Sequence, residues 1–583
     1  MNVGEAVGLV HAGFDVDQAV KDVAELAGFD RYQASDGVMA AAQYVADRAE
    51  QAGLRDVRLL EFPADGAQRW WSFRSPRSWT PVRAELAGVA RYPDQPFALA
   101  AYSAPTSGEG IVAPVVRLRS GELRGALVVH DDPQTPVAAA IELAARHGAL
   151  GLVTDRLPGP GRIELPPGGP LVAFSLTSAQ VAELVRRGRV RVVVQVHERA
   201  PMPLVTGVLP GEAAEEVLLS AHLCHPRPSV NDNASGAAAL LGAAAVARDL
   251  PRRRGIRFVW GPEFTGMAAY LHDVATTVPV AAVNVDMAGQ DQRRCGGPLI
   301  VERSPDHLPG LVNALAEHVV AALPQAARSY SGAVACDTWA WRATPFVGAS
   351  DHSLLVDSAI ACPTVSLGHW PDRFNHSAAD TLDKLDPDEL RRTATIACAT
   401  AAVLAGAAGD RGELERIAMG WGAARVMECL PGRERATRGF LRHRTAVALG
   451  ALDGLDALYG PGGGGSRDWL RALSGHLADL LPGEVPAGAG GPRLRRTWSG
   501  PFNLRGLAEA AGPAGRAWID GQVAAERARS YALMLALAHG IDGERDRAAV
   551  ATYAAHAAEL PVPGEFANDF LTVLVEAGWA EEG

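Results

Sequence analysis

Lysine is almost absent from this chain: Lys21 and Lys384 are the only two among 55 basic residues. The positive charge is therefore carried by arginine, and 66 acidic residues bring the formal net charge to −11. That balance argues against a general nucleic-acid binder, which needs a basic face. A GC-rich genome accounts for the arginine bias and for the abundant Ala and Gly. Cysteine is scarce too, six in 583 residues without regular spacing, so no disulfide framework is expected. No stretch of about 20 apolar residues runs free of charge, which speaks against a membrane span. Glu5, Asp15 and Asp17 interrupt any charged-then-apolar signal pattern at the start. A soluble cytoplasmic protein is the expectation.

What the chain does have is apolar content of 48%, enough for packed cores, and a length that suggests about three domains. Its most informative stretch is S-A-H-L-C-H-P-R-P-S-V-N-D-N-A-S-G, from Ser220 to Gly236. The run Val217-Leu218-Leu219 reads as a buried parallel strand that delivers His222 to its end. Asp232 follows just before a helix expected over residues 234–250, opened by Asn233, Ser235 and Gly236. An imidazole and a carboxylate at a sheet edge suit a borderline cation such as zinc.

Three more predicted strands end in the same chemistry. Residues 256–260 run into Gly261-Pro262-Glu263-Phe264-Thr265-Gly266; residues 280–285 end on Asp286. Residues 364–367 lead to Asn375-His376-Ser377-Ala378-Ala379-Asp380-Thr381-Leu382. His222, Asp232, Glu263, Asp286 and His376 thus all fall at or beyond the C-terminal ends of strands, where open α/β sheets place their sites.

This set resembles the zinc aminopeptidases of the clan that holds bacterial leucyl aminopeptidases and glutaminyl cyclases. The resemblance covers roughly residues 20–75 and 200–410. It implies that His222 and Asp286 bind one zinc, that His376 binds another, that Asp232 bridges them and that Glu263 is the general base. His376-Ser377-Ala378-Ala379-Asp380-Thr381-Leu382 is similar to the family's H-T-x-x-D-T-L segment, and Ser350-Asp351-His352 to its S-D-H. Two positions depart from the pattern. Phe264 stands where a glutamate ligand is expected, and Cys224, with His225 beside it, where an aspartate usually orients the first histidine. An aminopeptidase-like branch of the clan shares this H-x-C-H-P and P-E-x-x-G arrangement. One or two zinc ions remain open. Cys224 and His225 read as structural or as supports for the ligands, and Asp351, His352 and Asp380 as groups that orient ligands.

The expected fold is α/β: a mostly parallel zinc-peptidase sheet formed by residues 1–99 and 200–410. An α/β insert at 100–199 resembles the protease-associated domain, which implies either a cover over the cleft that shapes substrate choice or a purely structural role. Residues 411–583 are expected to be helical, ending in a winged-helix-like module from about 500 that serves packing rather than DNA binding. The Gly-rich runs 461–466 and 486–492 read as loops or linkers, and Trp70-Trp71 as packing.

The function implied is zinc-dependent hydrolysis of an amide or peptide bond at a free N-terminus, acting on a peptide or an aminoacyl amide. The alternatives are one-zinc acyl transfer of the glutaminyl-cyclase type, a non-catalytic peptide-binding relative, and a regulator working through the C-terminal module. A homo-oligomer is compatible with all of them.

Overall fold

The computed structural model describes residues 1–157, 160–324, 327–334, 338–430, 437–482 and 491–583. Its centre is an eight-stranded sheet: β1 (Arg55–Phe62), β2 (Met202–Leu209), β3 (Glu216–His222), β4 (Gly255–Gly261), β5 (Ala281–Val285), β6 (Leu299–Glu302), β7 (Trp341–Thr344) and β8 (Thr364–His369). The order across the sheet is β1-β2-β4-β3-β5-β8-β6-β7. The middle strands β4, β3, β5 and β8 run parallel, whereas β1, β2 and β6 pair antiparallel with their inner neighbours.

Six helices share one core with this sheet: α1 (Val3–Gly13), α2 (Val16–Ala27), α3 (Asp36–Gln51), α4 (Gly236–Ala247), α5 (Leu311–Ala321) and α6 (Pro387–Leu404), of which α3–α6 touch the strands while α1 and α2 lie on α4 and α6. Alternation along β3 explains its two-sided burial. Val217, Leu219 and Ala221 join the core with α1–α6, while Leu218 joins Met267, Tyr270, Leu354 and Trp70 on the opposite face. Each fully buried leucine contributes about 1.5–3 kcal/mol of transfer free energy. The helix α4, GAAALLGAAAVA, is buried nearly all round, and its small side chains permit that. A Cβ on Gly242 would sit 2.4 Å from the ring of Phe14.

Chain direction places the site. From β3 the chain crosses through α4 to β4 on one side, then returns to β5 on the other side. The reversal opens a crevice at the C-terminal end of β3, where such sheets bind their ligands. Gly368 keeps β8 close to that edge: a Cβ there would meet the Asp286 carbonyl oxygen at 1.9 Å.

A second, seven-stranded sheet lies between β1 and β2 in the sequence. Its parallel run is Ile111–Arg117, Leu127–His130, Gly151–Thr154 and Val172–Ser175, with helices Val137–Arg146 and Ser178–Arg187. The long strand Arg189–His197 pairs with Thr80–Leu86, and Ala90–Tyr92 completes the edge. The insert's sheet therefore begins at Thr80 and takes in residues that the sequence assigned to the flanking core. Alternation in 80–92 is short and half exposed, so it carries no mark of which sheet it joins.

Helices Arg411–Met427, Arg438–Tyr459 and Gly465–Ala478 extend the α1–α6 core. The Gly-rich run 461–466 thus gives way to helix at Gly465, and most of 486–492 lies outside the described residues. The final unit is closed by Leu494–Arg496 pairing antiparallel with Ala580–Glu582. Between these strands lie helices Leu504–Ala510, Pro513–His539 (broken at Glu526), Arg547–Ala558 and Gly564–Glu576. It is fastened to the core by Arg496 on Asp357 at 2.8 Å, by Arg69 on Glu509 at 2.6 Å and by Asn503 on the Ser72 carbonyl at 3.0 Å. Among the described residues no helix is long and apolar enough to cross a membrane.

Candidate metal centre

Asp232 is the hub. Its Oδ1 lies 3.3 Å from His222 Nε2 and 3.2 Å from His225 Nε2, and its Oδ2 lies 3.0 Å from His376 Nε2. His222 Nε2 also faces Asp286 Oδ1 at 3.1 Å. One donor atom each from His222, Glu263 and Asp286 lie within 4.8 Å of one another, and the same holds for His225, Asp232 and His376. The four expected ligands and Glu263 therefore meet around one carboxylate, although they come from four separate parts of the sequence.

Local sequence explains how each is aimed. His222 ends β3, and Asp286 follows the last residue of β5. Asp232 occupies an irregular turn (φ −108°, ψ 90°) before α4, held by its neighbours. Asn233 donates to the carbonyls of His222 and Val285 and accepts from Met287 N, so one amide ties both strand ends to the loop. Asp380 accepts from the backbone N–H groups of Asn231 (2.9 Å) and Asp232 (3.1 Å). Glu263 N donates to Cys224 Sγ at 3.2 Å, and Cys224 lies 3.8 Å from His222 Nδ1. Phe264 N donates to Asp351 Oδ1 at 2.6 Å, while His352 pairs with Glu302 at 2.7 Å.

Backbone strain is concentrated here. His225 (φ 141°), Ser229 (39°), Phe264 (59°), Met287 (66°) and His376 (58°) all take positive φ without being glycine. Such conformations each cost about 1–3 kcal/mol and persist where the surroundings fix them.

The electrostatics divide the groups by role. Burial alone would raise the Asp232 carboxyl, but three imidazoles around it hold it well below the usual carboxylate range. Burial would lower His222, yet Asp286 and Asp232 lift it well above its ordinary value. His225 is pulled well below its ordinary value by burial. Burial pushes Glu263 up to about 8, Asp380 to about 7 and Asp351 to about 6. A carboxyl that exchanges its proton near neutrality is suited to general acid–base work.

Two contributors go beyond the site expected from the sequence. His225, read there as structural or as a support for the ligands, turns its Nε2 onto the hub, and its signal was the H-x-C-H spacing. Arg162, from the insert, donates to His225 Nδ1 at 3.0 Å and reaches Glu164 at 3.3 Å. The insert also docks on the His376 loop: Arg162 N donates to the His376 carbonyl at 2.8 Å and Ala378 N to that of Pro160 at 2.9 Å. Tyr102, Arg162 and Gln33 wall a small recess beside Cys224 and His225.

The donor set fits a divalent ion of the zinc type: imidazole nitrogens and carboxylate oxygens, mostly buried, gathered on an open-sided crevice. Residues 205–401 match the profile of peptidase family M28, and the chain carries a domain of that family. Among solved structures, a zinc aminopeptidase from Bacillus subtilis shares the fold, at 16% identity and a TM-score of 0.50, over 68% of this chain and 96% of that one. A peptidase M28 precursor from Shewanella amazonensis matches at 21% identity (69% and 96% covered, TM-score 0.48). A protein of Clostridium acetobutylicum matches at 13% identity (100% and 99% covered, TM-score 0.49). Among curated proteins, none matches the chain.

Proposed function

We propose that the chain hydrolyses an amide or peptide bond at a free N-terminus, on a peptide or an aminoacyl amide. His222, Asp232, Asp286 and His376 would hold zinc, and Glu263 would be the base. One observation carries this reading: Asp232 gathers imidazoles from the β3 end and from the His376 loop, beside Asp286, while the Glu263 carboxyl stands in the same group of atoms.

A divalent ion bound there would supply the acidification of water, from a pKa of about 15.7 to about 7, and the polarisation of the scissile carbonyl. The chain's own groups do the rest. Glu263 accepts the proton of the attacking water at its carboxylate and passes it to the leaving amine. Cys224 Sγ anchors the Glu263 backbone, and Asp351 anchors that of Phe264, so the turn after β4 keeps the carboxylate aimed at the crevice. Arg162 and Tyr102 close one flank and limit water and substrate on that side.

Glu263→Gln is the test. Turnover of aminoacyl amides should fall by about 100- to 10,000-fold while ion content stays unchanged. Full activity in that variant removes Glu263 from the base role. The second reading is a one-ion, glutaminyl-cyclase-like acyl transfer in which Glu263 joins Asp232 and His376 as ligand; the Glu263 carboxyl lies within 4.8 Å of His222 and Asp286 at the same hub. Loss of the ion in the variant, with cyclisation and no cleavage by the wild type, would favour it.

A further inference from the structure

We propose that His225 is a metal ligand, completing with Asp232 and His376 a second ion position distinct from the His222–Asp286 side. The inference rests on the metal-dependent reading above and deepens it.

Two overlapping donor groups meet at the hub carboxylate. Asp286 and Glu263 group with His222, whereas His225 and His376 group with Asp232, their rings 5.1 Å apart; His225 also shares Asp232 Oδ1 with His222, whose ring lies 5.0 Å away. The Nε2 atoms of His225 and His376 lie 3.2 Å and 3.0 Å from Asp232, and the three donors are all within 4.8 Å of one another. Phe264, in the turn after β4, brings no donor to that group.

His225 is held in this position by other groups. Its backbone exchanges two hydrogen bonds with Arg31, N to O at 2.6 Å and O to N at 3.0 Å. The fully buried Arg31 guanidinium in turn donates to the carbonyls of Leu223 (2.9 Å) and Ser229 (3.0 Å) on either side of it. A strained φ of 141° is maintained by this clamp, and the outcome is one imidazole nitrogen aimed at the hub.

Two imidazoles and one carboxylate oxygen form a three-ligand set of the kind that leaves a zinc position open to water or a substrate amine. His376, with 42% of its side chain exposed, marks the open side. Arg162 cannot accept a proton, so its contact with Nδ1 places the ring hydrogen of His225 on Nε2, facing Asp232. An ion at Nε2 needs that nitrogen's lone pair, so the proton leaves Nε2 and the neutral ring carries its one N–H on Nδ1 instead. The guanidinium then passes to Glu164, which it already touches. Loading this position therefore moves the insert's arginine.

The test uses the full chain, stripped with a chelator and titrated with Zn2+ under equilibrium dialysis, with ions counted by elemental analysis. Two ions per chain are expected in the wild type. In His225→Gln and in His376→Gln one class should weaken by about 100-fold or more while the other remains. A Co2+ form of the wild type gives a second readout that needs no variant: three hyperfine-shifted imidazole N–H signals, from His222, His225 and His376. One ion per chain, unchanged binding in His225→Gln, or only two shifted imidazoles would overturn the assignment while leaving the hydrolase reading intact. No bound ion at all would sink both.

Discussion

Two groups of histidines lie inside this chain, and they differ in what surrounds them. In the M28 domain, His222, His225 and His376 each face Asp232 within 3.3 Å. Where the C-terminal unit meets the core, the rings of His307 and His539 lie 4.4 Å apart against Phe346. Among the described residues, neither nitrogen of His539 and not the Nδ1 of His307 has a hydrogen-bond partner, although all are buried. Burial holds both of these imidazoles below their ordinary value. The same side chain thus faces a shared carboxylate in one group and packs on aromatic rings in the other. Clustering of histidine alone would not distinguish the two.

The sharpest way to break this comparison is Asp232→Asn. It removes the charge shared by three imidazoles but keeps the shape and one oxygen. Ion content should fall to background, and turnover by at least about 100-fold, more than the loss of an outer hydrogen-bond partner would cause. A variant that keeps its ion and its activity would make the site histidines a packing cluster like the other one. Asp380→Asn should act less severely, because the Asp380 carboxylate acts through the Asn231 and Asp232 backbone N–H groups. The expected loss is about 10- to 100-fold in ion affinity, read by competition with a chelator.

These variants also mark what was legible in the sequence. His222, Asp286 and Glu263 could be placed because strand ends are visible as apolar runs that stop, and chain direction fixes which edge they share. Asp232 could be placed from N-D-N-A-S-G, since both asparagines serve the turn; Asn233 links it to β3 and β5. His225 could not. It lies three residues past a strand in an irregular loop, and its aim depends on Arg31, some 190 residues away in sequence. Arg162 was hidden for a similar reason, because docking of the insert on the His376 loop is carried by backbone hydrogen bonds. Nothing in residues 80–86 revealed that they pair with 192–197.

The smallest expected effect lies at the dry cluster. His539 is neutral in the folded chain, and the unfolded chain protonates it near pH 6.5. Its folded value is depressed, so its contribution is fully present above pH 6.5. That contribution is lost as the pH falls below 6.5 toward the folded value, by up to about 1.4 kcal/mol per pH unit. His539→Leu removes both the titration and the two orphaned nitrogens. Relief of an unsatisfied buried group is worth about 1–3 kcal/mol, offset by the lost ring contacts with His307 and Phe346. The variant should therefore gain about 1 kcal/mol at pH 7.5, seen as a higher urea midpoint by circular dichroism. Its lead over the wild type should widen at pH 5.5. A constant gap at the two pH values would show that His539 finds a proton acceptor on folding, and the contrast between the clusters would narrow to one of charge alone.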